Sequence, residues 1–112
     1  MAKKKIEKMM QARQGDVLLV EIGELPDGLT VVPNDNGRVV LAYGEVTGHS
    51  HAIPMSRSAT LYRDESDARF LHVTAPVSLL HEEHAPVKLP AALYKVITPV
   101  EYSPQEIKKV MD

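Results

Sequence analysis

The stretch "DVLLVEI" at residues 16–22 decides the fold class of this 112-residue chain. It is rich in β-branched residues and almost continuously apolar, which predicts a strand buried on both faces. Turn-forming sequences follow it, "ELPDG" at 24–28 and "PNDNG" at 33–37, with the short strand candidate "LTVV" at 29–32 between them. Further strand candidates are "RVVLAYGEV" (38–46), "ATLYR" (59–63), "RFLHVT" (69–74), "VSLLH" (77–81) and "ALYKVITPV" (92–100). Strands at a spacing of about 8–12 residues with turns between them predict a mainly β chain, a small single-domain β-barrel or β-sandwich.

Helices are predicted only at the two ends of the chain. Residues 3–13 carry helix formers with apolar side chains at helical spacing, and Gly15 would end that helix. Residues 103–112 begin with the capping-box sequence "SPQE" and form the second candidate. We therefore predict a basic N-terminal arm over residues 1–14, helical or frayed, and a single β domain over residues 15–112 that ends in a short helix.

Composition excludes several classes of function. The chain has no cysteine, so thiolate metal sites, thiol nucleophiles and disulfides are ruled out. No apolar run approaches the roughly 18 residues of a membrane helix, and no apolar segment of the secretory type follows the basic N-terminus. A cytoplasmic location without membrane contact is the expectation. The formal net charge of −2 argues against nucleic acid as the main partner, although Lys3, Lys4, Lys5 and Lys8 leave a weak case for a phosphate-binding arm.

The histidines are the candidate functional residues. All five lie between His49 and His84. Read as one continuous strand, "YGEVTGHSHAI" (43–53) places Glu45, His49 and His51 on one face and small residues on the other. A His-x-His pair on a strand is suited to gripping a divalent ion. The small residues on the opposite face indicate close packing against another sheet or another subunit.

The sequence "HEEH" at 81–84 supplies a second pair of histidines. A single helical turn ended by Pro86 would aim His81 and His84 in the same direction. Together the two pairs predict a site for a divalent transition metal (Zn, Fe, Mn or Ni), with ligands His49, His51, His81 and His84 and with Glu45 as an additional or supporting ligand. An open coordination position would allow the metal to activate water, whereas a closed four-histidine site would be structural. The sequence leaves open whether the protein is an enzyme.

The histidines and the basic N-terminal arm also have interpretations that involve no metal. A turn rich in Glu and His is commonly only solvated, and His72, between Leu71 and Val73, is interpreted as a structural residue. The main alternative is a non-enzymatic homo-oligomer or interaction protein, in which a histidine-lined interface loosens when the imidazoles are protonated near pH 6. Nucleic-acid binding through the basic N-terminal arm is the third option.

Three blocks also resemble a known family: "RQGDVLLVEI" (13–22), "LAYGEVTGHSHAI" (41–53) and the segment from "LLHEEHAPVKLP" at residue 79 to the C-terminus. In combination they are similar to a family of small uncharacterised proteins of bacterial and phage genomes. The resemblance implies that the blocks share one fold, and it implies no activity. One departure is Ala92, which stands in "LPAALY" where the family pattern has a glycine, so a glycine-dependent turn is not expected there.

"GHSH" also resembles the His-x-His of cupins, but only loosely. The cupin pattern has a glutamate a few residues later, where this chain has "PMSR" at 54–57. It also has Pro-x-Gly ahead of a further histidine, and that motif is missing here. The likeness therefore concerns the small all-β architecture and implies no cupin site.

Overall fold

A computed structural model describes residues 10–44, 48–54 and 56–98, and these residues form ten β-strands. The strands are β1 (Gln11–Gln14), β2 (Val17–Ile22), β3 (Thr30–Val31), β4 (Val39–Tyr43), β5 (Ser50–Ile53), β6 (Ala59–Arg63), β7 (Arg69–Val73), β8 (Val77–Leu79), β9 (Val87–Leu89) and β10 (Ala92–Ile97). The described part of the chain contains no helix and therefore no helix that could cross a membrane.

Six strands form one antiparallel sheet in the order β1-β2-β10-β7-β6-β3. A two-residue loop, Gly15 and Asp16, joins β1 to β2, and Gln14 pairs with Val17 across it. Gly15 has a φ of 55°, which a glycine adopts without steric cost at the first position of such a loop. This tight hairpin places β1 at one edge of the sheet, paired with β2.

Cross-strand register assigns each residue of the sheet to one of two faces, because directly opposed residues point the same way. The inner face carries Gln14, Val17, Leu19, Ala59, Leu61, Leu71, Val73, Tyr94 and Val96, all of which are buried. The outer face carries Leu18, Val20, Ile22, Val31, Tyr62, Phe70, His72, Leu93 and Ile97, together with the polar residues Gln11, Arg13, Thr60 and Lys95. The inner face is the one that packs against the rest of the domain.

Two hairpins cover that inner face. One is β4 paired with β5, and the other is β8 paired with β9. An isolated antiparallel bridge between Ala52 and Leu80 connects them through two backbone hydrogen bonds of 3.0 and 2.8 Å. Their apolar side chains complete the core with those of the sheet: Val39, Leu41, Ile53, Leu79 and Leu89. Burial of each such side chain stabilises the fold by about 1.5–3 kcal/mol.

The predicted mainly β fold is confirmed, with corrections to its details. The "DVLLVEI" strand is present as β2, but it is not buried on both faces. Only the side that carries Val17 and Leu19 is fully buried, because the outer face of the sheet has no second layer among the described residues. The barrel alternative is wrong for the described residues, since β1 and β3 stand at opposite ends of the strand order.

The predicted terminal helices have different outcomes. Residues 11–13 of the first candidate lie in strand β1, since pairing with β2 outweighs their helical propensity. Residues 3–9 of that candidate, and the whole C-terminal candidate at 103–112, lie outside the described residues. Ala92, at the glycine position of the resembled family, is the first residue of β10 and pairs with Val73, so the chain is extended there.

Candidate metal centre

Four of the five histidine rings converge at one place, beside the loop between β1 and β2. The ring centroids of His51 and His81 are 4.3 Å apart, those of His81 and His84 4.6 Å, and those of His49 and His81 5.6 Å. His51 and His84 are 6.0 Å apart. The two histidine pairs, which are thirty residues apart in the sequence, therefore form a single cluster.

The bridge between the two hairpins explains this convergence. Because the bridge between Ala52 and Leu80 is antiparallel, the residues that flank it oppose each other in turn: His51 faces His81, and Ser50 faces Glu82. The backbone N–H of Ser50 donates to Glu82 Oε1 at 2.9 Å, continuing the same register with a side chain in place of a carbonyl. Strand pairing, and not a local motif, places the imidazoles together.

His51 is the most deeply buried histidine of the cluster, with 6 % of its surface exposed. Burial, together with the positive charge that His81 and His84 carry when protonated, lowers the pKa of His51 from 6.5 to about 4. The Asp16 and Glu82 carboxylates oppose this shift in part. The His51 imidazole is consequently neutral at pH 7, which is the form that binds a metal ion.

Gln14, at the end of β1, holds the His51 ring from the side of the large sheet. Its Oε1 lies 2.8 Å from His51 Nδ1, and its Nε2 donates to Leu79 O at 2.8 Å and to Ala85 O at 3.0 Å. The Gln14 side chain is itself buried, with 2 % exposure. One amide therefore ties β1, the connection between β8 and β9, and His51 together.

A mixed nitrogen and oxygen donor set lies at the more exposed side of the cluster. His49, His81 and Glu82 each offer a ligand atom, and these atoms lie within 4.8 Å of one another. The hydrogen bond from Ser50 N–H lowers the pKa of Glu82 and so favours its carboxylate form. His49 Nδ1 is also 3.9 Å from Glu83 Oε2. Imidazoles with one carboxylate suit zinc and related transition metals.

Gly15 forms the floor of the cluster. A Cβ atom at this position would lie 2.7 Å from His84 Nε2 and 3.3 Å from His51 Cε1, so the two rings occupy the space that a side chain would need. The absence of a side chain at Gly15 therefore serves two purposes. It permits the positive φ of the loop, and it leaves space for two imidazoles.

The predicted ligands and the predicted strand that carries two of them have different outcomes. His49, His51, His81 and His84 are brought together, although metal binding by them stays a prediction. The continuous strand predicted over 43–53 is wrong: the chain reverses after Tyr43, and β5 pairs back on β4 from Ser50 onward. Gly44 N–H donates to His49 O at 2.9 Å across this connection.

Other predictions for the site concern residues 81–84, Glu45 and His72. The predicted helical turn at 81–84 is a sequence of bends, and the Glu83 N–H donates to His81 Nδ1 at 3.0 Å. Glu45, the proposed additional ligand, lies outside the described residues, as do Lys3, Lys4, Lys5 and Lys8. His72 projects from the outer face, opposite Thr60 and Leu93, and does not join the cluster.

Sequence reasoning missed three residues of the site. Glu82 is not among the ligands predicted from the sequence, yet it is the carboxylate of the donor set. Gln14 falls in the predicted N-terminal arm, and Gly15 is predicted only as the end of a helix. A signal for the glycine was present, because Gly-Asp between two strands is a two-residue hairpin sequence. Nothing in the sequence indicates that Gln14 is buried against a histidine.

The class of protein is thus a small, mainly β domain with a histidine cluster between two hairpins. A family model described as a domain of unknown function (DUF8820) matches residues 13–99, and the chain belongs to this family. The matched segment contains the whole histidine cluster together with Gln14 and Gly15. Searches of the curated proteins and of the solved structures gave no significant match.

Proposed function

We propose that the protein binds a divalent transition metal, with zinc the first ion to test, through the histidine cluster and Glu82. The observation that carries the proposal is the convergence of His49, His51, His81 and His84 from two separate hairpins. Imidazole rings at a surface are ordinarily dispersed, and burying one of them in its neutral form gives an unprotonated nitrogen ligand.

The distances between the candidate ligand atoms indicate that the cluster must contract when it binds a metal ion. Ligand atoms bound to a tetrahedral zinc at about 2.0–2.1 Å are roughly 3.3 Å apart. The candidate atoms of His49, His81 and Glu82 are within 4.8 Å of one another, so they must move closer together to reach this spacing. Three protein ligands would leave a position for water and for Lewis-acid chemistry, whereas four would make a structural centre.

A bound metal would also act on the fold. The two hairpins are joined by one bridge and by the Ser50–Glu82 hydrogen bond, and a shared ion would add a third link between them. Binding of the ion to the folded state alone stabilises that state, by about 2.7 kcal/mol when its free concentration is 100 times the Kd. A metal-dependent rise in Tm is therefore expected.

The test is metal analysis of untagged protein, together with a zinc titration in competition with a chromophoric chelator. Wild-type protein should bind close to one zinc per chain. The double variant His49→Gln with His81→Gln should lose this binding. The matched control is His72→Gln, because His72 lies on the opposite face of the sheet, and it should bind as the wild type does.

Two results would contradict the proposal. One is a wild-type protein that takes up only a small fraction of an equivalent of zinc, iron, manganese and nickel. The other is a double variant that binds as tightly as the control. Circular dichroism of all three proteins establishes that a loss of binding is not a loss of fold.

A second candidate function, self-association, is favoured by the outer face of the six-stranded sheet. We propose a second copy of the chain as the occupant of this face, in a symmetric contact that buries the same apolar side chains on both copies. Val31 and Ile97 on this face have 54 % and 37 % of their surface exposed. Leu18 pairs with Ile97, and Val20 and Leu93 belong to the same face, as does Lys95. His72 is the histidine of this face.

Sedimentation of the metal-free protein at micromolar concentration tests this candidate. A dimer is expected for the wild type, and Ile97→Lys should convert it to a monomer by placing a charge in the contact. Tyr43→Lys is the control, since Tyr43 is 59 % exposed but belongs to the β4–β5 hairpin. A monomeric wild type, or a dimer that survives Ile97→Lys, would exclude self-association through this face.

A further inference from the structure

The side-chain amide of Gln14 has only one orientation that satisfies its surroundings. Its two N–H groups donate to two backbone carbonyls, Leu79 O and Ala85 O. If the amide were rotated by 180°, its oxygen would face both of these carbonyl oxygens and neither would receive a proton. Since the side chain is buried, water cannot compensate for that loss. Oε1 is therefore the atom that faces His51.

This orientation fixes the position of the proton on His51. An amide oxygen only accepts hydrogen bonds, so His51 Nδ1, 2.8 Å away, must be the donor. In the neutral ring the proton is then on Nδ1, and Nε2 carries a free lone pair. Among the hydrogen bonds of the described residues none involves His51 Nε2, which leaves that lone pair available.

We propose that Gln14 is a positioning residue, which holds His51 in the Nδ1–H form and so presents Nε2 as a ligand atom before any metal is present. This inference rests on the proposed metal-binding function. Without the Gln14 oxygen, a neutral imidazole is free to take the Nε2–H form, in which the proton occupies the ligating nitrogen. Groups that support a ligating histidine in this way typically change metal affinity by about 10–100-fold.

His81 has the opposite arrangement to His51, since its Nδ1 accepts a hydrogen bond where His51 Nδ1 donates one. The Glu83 N–H donates to His81 Nδ1, so the neutral His81 ring carries its proton on Nε2. Of these two adjacent rings, the one supported from β1 has an available Nε2, and the other does not. The difference arises from a single buried amide on the six-stranded sheet.

The first test uses the metal-free wild-type protein and needs no variant. Long-range ¹H–¹⁵N correlation spectra at pH 7.5 distinguish the two neutral forms of each imidazole. The expected result is the Nδ1–H form for His51. An Nε2–H form for His51 overturns the proposal, whether or not the protein binds zinc.

The second test compares Gln14→Leu with Gln11→Leu, a control at an exposed position on the same strand. Gln14→Leu should shift His51 toward the Nε2–H form and weaken zinc binding by about 10–100-fold, whereas Gln11→Leu should change neither. A folded Gln14→Leu protein with wild-type spectra and affinity overturns the proposal. If the variant does not fold, the wild-type spectrum decides the question.

The outcomes also separate this proposal from the metal-binding function itself. A wild-type protein that shows the Nδ1–H form but binds no zinc supports the fixed proton position on His51 and refutes metal binding. A protein that binds zinc with His51 in the Nε2–H form refutes the role of Gln14 alone.

Discussion

At the scale of single residues, Gly15 is the most constrained position of the cluster. It combines a positive φ of 55° with two imidazoles in the space that a side chain would occupy. A side chain at Gly15 therefore has two separate costs, one in the backbone and one in the site. The backbone cost alone, for an L-residue in the left-handed region, is about 1–2 kcal/mol.

Gly15→Ala tests this double role. The added Cβ would lie 2.7 Å from His84 Nε2, so the exposed His84 ring must move away from His51. We expect a lower free energy of unfolding by about 1–2 kcal/mol and, in addition, weaker zinc binding. Urea denaturation measures the first effect and chelator competition the second.

Gly28→Ala is the matched control for that substitution. Gly28 has a φ of 78°, yet a Cβ atom there meets nothing within 4 Å. It should lose similar stability and retain full zinc affinity. Equal zinc affinity of the two alanine variants would mean that contact between Gly15 and the imidazoles has no bearing on metal binding.

The sequence identified those residues of the site whose types are unusual, and it missed those of common types. The two histidine pairs stand out because imidazole is rare and chemically versatile. Gln14 does not, because only burial and the Leu79 and Ala85 carbonyls give it a role. Glu82 is one of two adjacent glutamates, and only the strand register shows which of them faces Ser50 N–H.

At the scale of elements, the connection between β8 and β9 contains the part of the site that must change. Neutral His81 can bind a metal through Nδ1 or through Nε2. The Nδ1 lone pair is already engaged by the Glu83 N–H. Binding through Nε2 requires the proton to move to Nδ1, where it would oppose that same N–H. Either mode of binding breaks the hydrogen bond from Glu83 to His81 and rearranges the bends at 82–84.

The Glu83 backbone amide reports this rearrangement. On zinc addition its proton resonance should move upfield and its exchange with solvent should accelerate, because it loses its acceptor. The Thr74 amide, which donates to Ser58 O at 2.8 Å beside the paired strands β6 and β7, is an internal reference that should stay unchanged. A Glu83 resonance that does not move when one equivalent of zinc is bound would show that His81 is not a ligand.

The strands themselves were easier to predict than the way in which they combine. Alternation and turn residues mark β2, β6, β7 and β10, because each has a buried inner face and is bounded by Gly, Pro or Asp. The reversal between β4 and β5 was missed, since the glycines at 44 and 48 also fit a strand that packs closely. Gly48, with a φ of 89°, belongs to this connection.

At the scale of the whole molecule, the cluster lies where three parts of the fold meet. His51 belongs to one hairpin, His81 and His84 follow the β8 strand of the other, and Gln14 and Gly15 come from the six-stranded sheet. This meeting depends on long-range register, as in the pairing of Ala52 with Leu80. The chain's local pattern determines that there are strands, but long-range pairing among many short strands is not encoded in any one segment.

Burial of His51 where these three parts meet makes the free energy of unfolding of the metal-free protein depend on pH. The pKa of His51 is about 4 in the folded protein and about 6.5 in the unfolded chain. Between these values the unfolded chain binds more protons at His51 than the folded protein does. The free energy of unfolding must therefore fall as the pH is lowered from about 6.5 to about 4, and His51 contributes no change above that range.

Urea denaturation midpoints at pH 7.5, 6.5, 5.5 and 4.5, measured in the presence of a chelator, test this dependence. His51→Gln should flatten it across that window, because an amide does not titrate and its N–H can still donate to Gln14 Oε1. His72→Gln, on the opposite face of the sheet, should retain the wild-type dependence. Glu82, whose pKa is lowered in the fold, also stabilises the folded state, and its contribution begins to fall only near pH 4.5, where the unfolded chain takes up protons at this carboxylate. Parallel curves for the wild type and His51→Gln would mean that the His51 imidazole is not held neutral by the packing of the hairpins on the sheet.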